Sequence, residues 1–178
     1  MASLTDFQNK LTGGGARANQ FKVAINAPFI TDTEALSFLC RSASMPALTV
    51  GEVPVFYRGR QIYVAGDRSF ADWTVTVYND GGWVARSNME NWNNALQEFG
   101  SSTVGAQNPA DYYGTIYVTQ LDRSDNPLRT AVLWGSWPTN VAEIALAYDT
   151  VDVVEEFDVT FRFNHMVLYE SGTTLGTA

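Results

Sequence analysis

The sequence predicts a mainly β domain: an antiparallel β-sandwich or partly closed barrel with one flanking α-helix. Two segments carry most of that prediction. From Trp73 to Asn79, Trp73, Val75 and Val77 alternate with Thr74, Thr76 and Tyr78, and from Phe157 to Phe163 four apolar residues alternate with Asp158, Thr160 and Arg162. A period of two puts one set of side chains on each face of a strand, so each segment has one buried and one wet face. A third segment departs from that period: Ala85, Met89, Trp92, Leu96 and Phe99 recur at spacings of four, three, four and three, which lines them along one stripe of a helix.

Taken in order, residues 1–18 form a small, polar leader containing Gly13, Gly14 and Gly15, residues 19–170 form the folded domain, and residues 171–178 form a short tail. Strands are predicted at Phe21 to Asn26, Leu36 to Ser44 and Val50 to Tyr57, punctuated by Pro28, Pro46 and Pro54. The segment Val55 to Asp67, with Arg58, Gly59 and Arg60 at its centre, is too hydrophilic for a buried strand and suits a projecting loop or hairpin. The Trp73 to Asn79 strand follows. A helix near Trp83 to Phe99 comes next, started by Asn79 or Asp80 as cap and ended by Gly100 in the left-handed conformation. Tyr112 to Leu121 and Leu128 to Trp134 are rich in Tyr, Thr, Ile and Val, and the turn residues of Asp122 to Pro127 join them as a hairpin. Further strands are expected at Glu143 to Tyr148 and Phe157 to Phe163, and no internal repeat is visible.

Composition narrows the function. A chain of 178 residues fits one domain with a full core, and 13% aromatic residues are more than a disordered chain carries. Its formal charge is -8 and its basic residues are scattered singly, which argues against tight binding to nucleic-acid phosphates. An acidic surface suits a wall past which DNA slides without sticking. Cys40 is the only cysteine, so an intrachain disulfide and a four-cysteine zinc site are excluded; among Leu36, Phe38 and Leu39 it reads as a buried thiol. Met1 to Lys10 has no signal-peptide pattern and no run of about 18 apolar residues occurs, so a soluble protein made in the cytoplasm, without a membrane anchor, is expected.

The chemistry-bearing residues point away from catalysis. His165 is the sole histidine and has no serine, cysteine or acid placed beside it by sequence, whereas a catalytic histidine needs an oriented partner. Asp149, Asp152, Glu155, Glu156 and Asp158 form an acidic run whose spacing matches no calcium loop, and it reads as a solvated loop and strand face or as the lining of a channel. Gly66-Asp67-Arg68 lacks the second glycine and the lysine of a phosphate loop. No cofactor, no metal and no enzymatic activity are expected.

Two motifs carry a resemblance. Residues Ile62 to Asp80 read Ile-Tyr-Val-Ala-Gly-Asp-Arg-Ser-Phe-Ala-Asp-Trp-Thr-Val-Thr-Val-Tyr-Asn-Asp, and Trp137 to Glu143 read Trp-Pro-Thr-Asn-Val-Ala-Glu. Both resemble the tail tube subunits of T-even-like contractile-tailed bacteriophages, in the right order, with Phe157 to Phe163 near the end, over roughly Phe21 to Tyr169. The resemblance implies a β-sandwich with one helix, six copies in a ring, a continuous inner β-barrel, and rings stacked into a tube inside a contractile sheath. It implies a virion protein assembled in the host cytoplasm, whose partners are itself, the tail sheath, the baseplate and the tail terminator. DNA would pass through the lumen without specific binding.

On that resemblance, the candidates for contacts between subunits or rings are Arg58, Gly59, Arg60, Gln61, Gly66, Asp67, Arg68 and Phe70, with Trp137, Pro138, Thr139 and Asn140. Trp73 and Trp137 also read as core anchors, Asp67 and Arg68 as a local ion pair closing a turn, and Pro138 and Asn140 as turn formers. Glu156 and Asp158, on the charged face of their strand, are the candidates for lining the lumen. Two other functions compete: the inner tube of a contractile injection system that delivers protein, and a carbohydrate-binding sandwich that offers its aromatic rings to sugars.

Overall fold

The computed structural model describes residues 3–10, 15–31, 36–37, 39–100, 105–170 and 173–175. Two antiparallel sheets face each other across the core. In one, β1 (Phe21–Asn26) pairs with β6 (Gly114–Leu121), β6 with β7 (Pro127–Val141), β7 with β9 (His165–Glu170), and β9 with β10 (Thr173–Leu175). In the other, β2 (Cys40–Ala43) pairs with β5 (Trp73–Tyr78), β5 with β8 (Glu156–Arg162), and β8 with the last residues of β7. Among the described residues the sheets do not close into a barrel.

Strand β7 belongs to both sheets. Arg129 to Trp134 pair with β9 and Trp137 to Val141 with β8. The change of sheet falls at Gly135, whose φ of 62° lies in the left-handed region that glycine enters without strain. The adjacent Ser136 is fully buried, and its hydroxyl donates to the Leu133 carbonyl at 3.1 Å.

The predicted alternation holds on β5 and β8: Trp73, Val75, Val77, Phe157, Val159 and Phe161 are buried, and their neighbours point to solvent. From the facing sheet come Val23, Ile25, Ile116, Val118, Ala131 and Leu133. Helix α2 (Val84–Leu96; α1 is Leu4–Lys10) closes one side with Ala85, Met89 and Trp92. The Trp92 indole is wholly buried, lies 5.8 Å from the Phe161 ring, and donates from Nε1 to the Tyr112 carbonyl at 2.8 Å. Gly114 makes room for it, since a Cβ there would meet the indole at 2.7 Å.

Helix α2 starts as expected and ends early. The Asp80 carboxylate accepts from the N–H groups of Gly82, Val84 and Ala85, while Trp83 at the helix start takes a left-handed φ of 56°. The helix stops at Leu96, with Gln97 rather than Gly100 as its C-cap, because the Ala106 N–H, arriving from the next segment, takes the Ala95 carbonyl at 2.8 Å. Phe99 is left exposed. Those N–H bonds, Ala85 first, hold the Asp80 carboxyl below its ordinary 3.8. A depressed carboxylate stabilises above its unfolded pKa, and that contribution is lost as pH falls through the folded one. Asp80→Ala should therefore cost about 1 kcal/mol at neutral pH, and the melting-temperature gap from the parent should shrink below pH 4 in acid-titrated thermal melts.

Other expectations need correction. In the segment Leu36 to Ser44, Leu36, Ser37 and Leu39 are helical and only Cys40–Ala43 is strand. The helical turn sends Leu36 into the core, which a straight run into β2 does not require. Cys40 is half-buried there, and burial pushes its thiol up to about 11. Glu143 to Tyr148 is not a strand. The ladder of β7 with β8 ends at Val141, the Ala142 N–H closes it on the Asp158 carbonyl, and the chain then leaves the sheet without a partner strand among the described residues. Before β6, Pro109–Tyr112 forms a short helix, α3, with the Asn108 side chain accepting from Ala110 N–H, so Tyr112, the first residue of the expected strand, is helical and the strand begins at Gly114. Within the leader, Leu4–Lys10 is helical with no buried residue, and Ser3 and Asp6 cap it reciprocally. Gly13 and Gly14 lie outside the described residues. At the other end, β10 carries pairing into the expected tail.

Candidate functional site

The hairpin of β3 (Thr49–Tyr57) and β4 (Arg60–Ser69) forms its own two-stranded sheet, apart from the sandwich. Arg58 and Gly59 make its turn with φ of 47° and 78°, the paired left-handed geometry of a two-residue hairpin loop. Every residue of β3 is exposed, and in β4 only Gly66 is partly covered. Glycine lets the strands approach closely there: a Cβ on Gly66 would press on the Gly51 backbone at 3.1 Å, beside the bulge between Val50 and Glu52.

The register sorts the arm's side chains. Val53, Val64, Val55 and Ile62 share one face, and Pro54, Tyr63, Phe56 and Ala65 share the other, with Glu52 and Gln61 at its ends. Phe56 is 74% exposed and Ile62 54%. The arm projects as expected, but for a different reason from the hydrophilicity read in the sequence. Its cations sit at the turn and the base, while both faces are apolar. A lone two-stranded ribbon is marginal in water, and contiguous exposed apolar area of this kind marks an interaction surface. Arg58 stacks over the Tyr57 ring at 5.3 Å; Arg60, Gln61, Asp67 and Arg68 are exposed, and Asp67 and Arg68 form no ion pair with each other.

The second group of candidates does not join the arm. Phe70 is half-buried against Phe163, ring centroids 5.3 Å apart, and so fixes the arm's base to the core. Trp137 is half-buried and stacks on Tyr113 at 5.6 Å. Pro138 is fully buried, with its carbonyl accepting from Asn93, so it is unavailable to a partner. Thr139 and Asn140 remain exposed, the Thr139 hydroxyl donating to the Thr160 carbonyl at 3.0 Å. Trp73 and Trp92 are core residues, which removes them as sugar platforms.

Glu156 and Asp158 lie on the wet face of the sheet formed by β2, β5 and β8. That face is a hydroxyl and carboxylate surface: Thr74 and Thr160 hydroxyls meet at 3.1 Å, and Thr76 donates to Asp158 at 2.7 Å. Glu156 is paired with Arg41 and Asp72 with Arg162, so cations offset part of its acidity. The lone His165 is exposed and stacks on Trp134, and among the described residues no group of three or more His, Cys, Asp or Glu is placed to hold a metal ion. Also among the described residues, no helix is long and apolar enough to cross a membrane.

The sequence reading took 149–158 as an acidic, solvated run and missed the apolar residues exposed along the loop 142–155. Its acidic residues are interleaved with exposed Leu146, Tyr148, Val151, Val153 and Val154. Arg86 anchors the start of this loop, donating to the Ala142 carbonyl at 2.9 Å. The signal was available in the Val-Asp-Val-Val pattern at 151–154, where apolar residues persist through an acidic run.

Comparison with known proteins bears on these surfaces. Residues 7–168 match the family model described as phage tail tube protein. The chain is 34% identical over 155 residues to tail tube protein gp19 of Enterobacteria phage T4, covering 86% of this chain and 92% of that one. It is 27% identical over 172 residues to the tail tube protein of Serratia phage KSP90, with 92% and 95% covered. Among solved structures, a chain of the sheath-tube complex of an extracellular contractile injection system superposes with a TM-score of 0.65 at 12% identity, over 87% of this chain and 91% of that one.

Proposed function

This chain belongs to the phage tail tube protein family, and from that premise we propose that six copies close into a ring and that rings stack into the inner conduit of a contractile tail. The observation that carries the reading is the β3–β4 arm, whose two apolar faces find no cover among the described residues of their own subunit. A segment of this kind is a defect in a monomer and a joint in an assembly. Among the described residues β1 and β2 are open edges, whose backbone groups neighbouring copies can satisfy, which favours one barrel running through the whole ring.

In this reading the protein assembles in the host cytoplasm and meets the sheath, baseplate and tail terminator in the virion. The wet face carrying Asp158 lines the bore, with Glu156 at the strand end where that face meets the loop 142–155. With its carboxylates and hydroxyls, and with Arg41 and Arg162 engaged by acids, it offers duplex DNA no free row of cations, so the genome slides past. The capsid-less injection tube shares this fold, and identity to phage tube proteins favours the phage tail.

Negative-stain microscopy of the purified protein is the test: six-fold rings and stacked tubes are expected. A population that stays monomeric at every concentration, read by sedimentation, overturns the proposal.

A further inference from the structure

We propose that the β3–β4 arm of one subunit seats in the groove between the β2–β5 edge and the loop 142–155 of a second copy. The inference rests on the assembly proposed above and specifies its joint. The groove has a volume of about 800 Å³, and Leu39, Ile144, Val153 and Val154 form its apolar part. Asp152 and Glu155 line it as well, the Arg41–Glu156 ion pair stands where the groove meets the wet face of β2 and β8, and no residue of the subunit's own arm lines it. Groove and arm are therefore both uncovered in the same molecule.

Their charges are complementary. The arm carries Arg58 and Arg60 at its tip, neither paired with a carboxylate among the described residues. Asp149 and Asp152, exposed on the loop, likewise have no cation partner among the described residues. In a chain of formal charge -8, copies repel one another, and a contact that sets the exposed tip cations against the most acidic stretch relieves that repulsion where the subunits meet. The apolar middle of the arm then covers Val153 and Val154, desolvating both surfaces. The contact is heterologous, arm to groove, so it leaves one arm and one groove free at each step until rotation closes a ring or translation continues a stack.

Charge reversal with rescue tests the pairing. Arg58→Glu with Arg60→Glu should abolish tubes by sedimentation and microscopy, and so should Asp149→Arg with Asp152→Asn, where asparagine suits the left-handed φ of 60° at 152. Thermal unfolding of each soluble variant should match the parent, since all four side chains are exposed. The chain carrying all four substitutions should regain tubes. Independently of charge, Arg60→Cys with Asp149→Cys in a Cys40→Ser background should yield a disulfide-linked ladder under oxidation, and neither single cysteine should. Tubes from the arm-reversed variant, or a folded four-substitution chain without tubes whose cysteine counterpart gives no ladder, overturn the pairing. A parent chain that never forms tubes overturns instead the assembly on which it rests.

Discussion

Trp92→Ala should lower subunit stability by about 3–5 kcal/mol, the usual cost of emptying a buried aromatic site. The indole is fully buried between α2 and the sheets, touches Phe161, and fills the space that Gly114 leaves open. Its neighbours are held by two sheets and a helix and have little freedom to collapse into the void, which places the expected loss at the high end. Trp92→Phe separates volume from hydrogen bonding: it keeps most of the packing and strands the Tyr112 carbonyl, with an expected cost of about 1–3 kcal/mol. Urea denaturation of the unassembled subunit, followed by far-ultraviolet circular dichroism, measures both. A loss under about 1 kcal/mol for the alanine variant would mean that the helix is not a structural lid on the core.

Excising the arm should have the opposite signature, with intact folding and no tubes. Removing 58–68 alone would leave β3 as an unpaired apolar strand, so the informative variant replaces 53–64, taking matched lengths of both strands, with a short Gly/Ser turn. Val53, Val55, Ile62 and Val64 are each about half exposed. Covering what remains contributes on the order of 1 kcal/mol apiece, about 4 kcal/mol per contact, or roughly a thousandfold in association at each joint. Repeated around a ring and along a stack, that loss should remove tubes altogether while the monomer's melting temperature stays within a few degrees of the parent. Tubes of normal length, or an excised chain that no longer folds, would refute this separation of folding from assembly.

Legibility in the sequence followed where each segment's partner lies. Trp73 to Tyr78 and Phe157 to Arg162 were readable because both are two-faced strands paired to each other within one subunit, so pattern and burial agree. Glu143 to Tyr148 has a strand-like alternation too, but only Ile144 of its apolar residues reaches the core, while Leu146 is 75% exposed and Tyr148 wholly so. Its pattern reflects no ladder in the subunit. The arm was placed correctly as a projection, while its register, which alone reveals two apolar faces, depends on a turn at Arg58 and Gly59 and a bulge at Val50. Trp137 and Pro138 carried the family resemblance, yet they serve the interior, packing on Tyr113 and bonding to Asn93. A sequence motif marks which residues matter and leaves open whether they matter to a neighbour or to the core.

Strand β7 has a mechanical meaning. Because one unbroken backbone runs through both sheets and turns between them at Gly135, a pull applied to either sheet travels along covalent bonds into the other. The interleaved side chains need not carry that load in shear. A subunit exposed to the recoil of a contracting tail therefore has a tendon through its middle, and its two layers stretch together as one body.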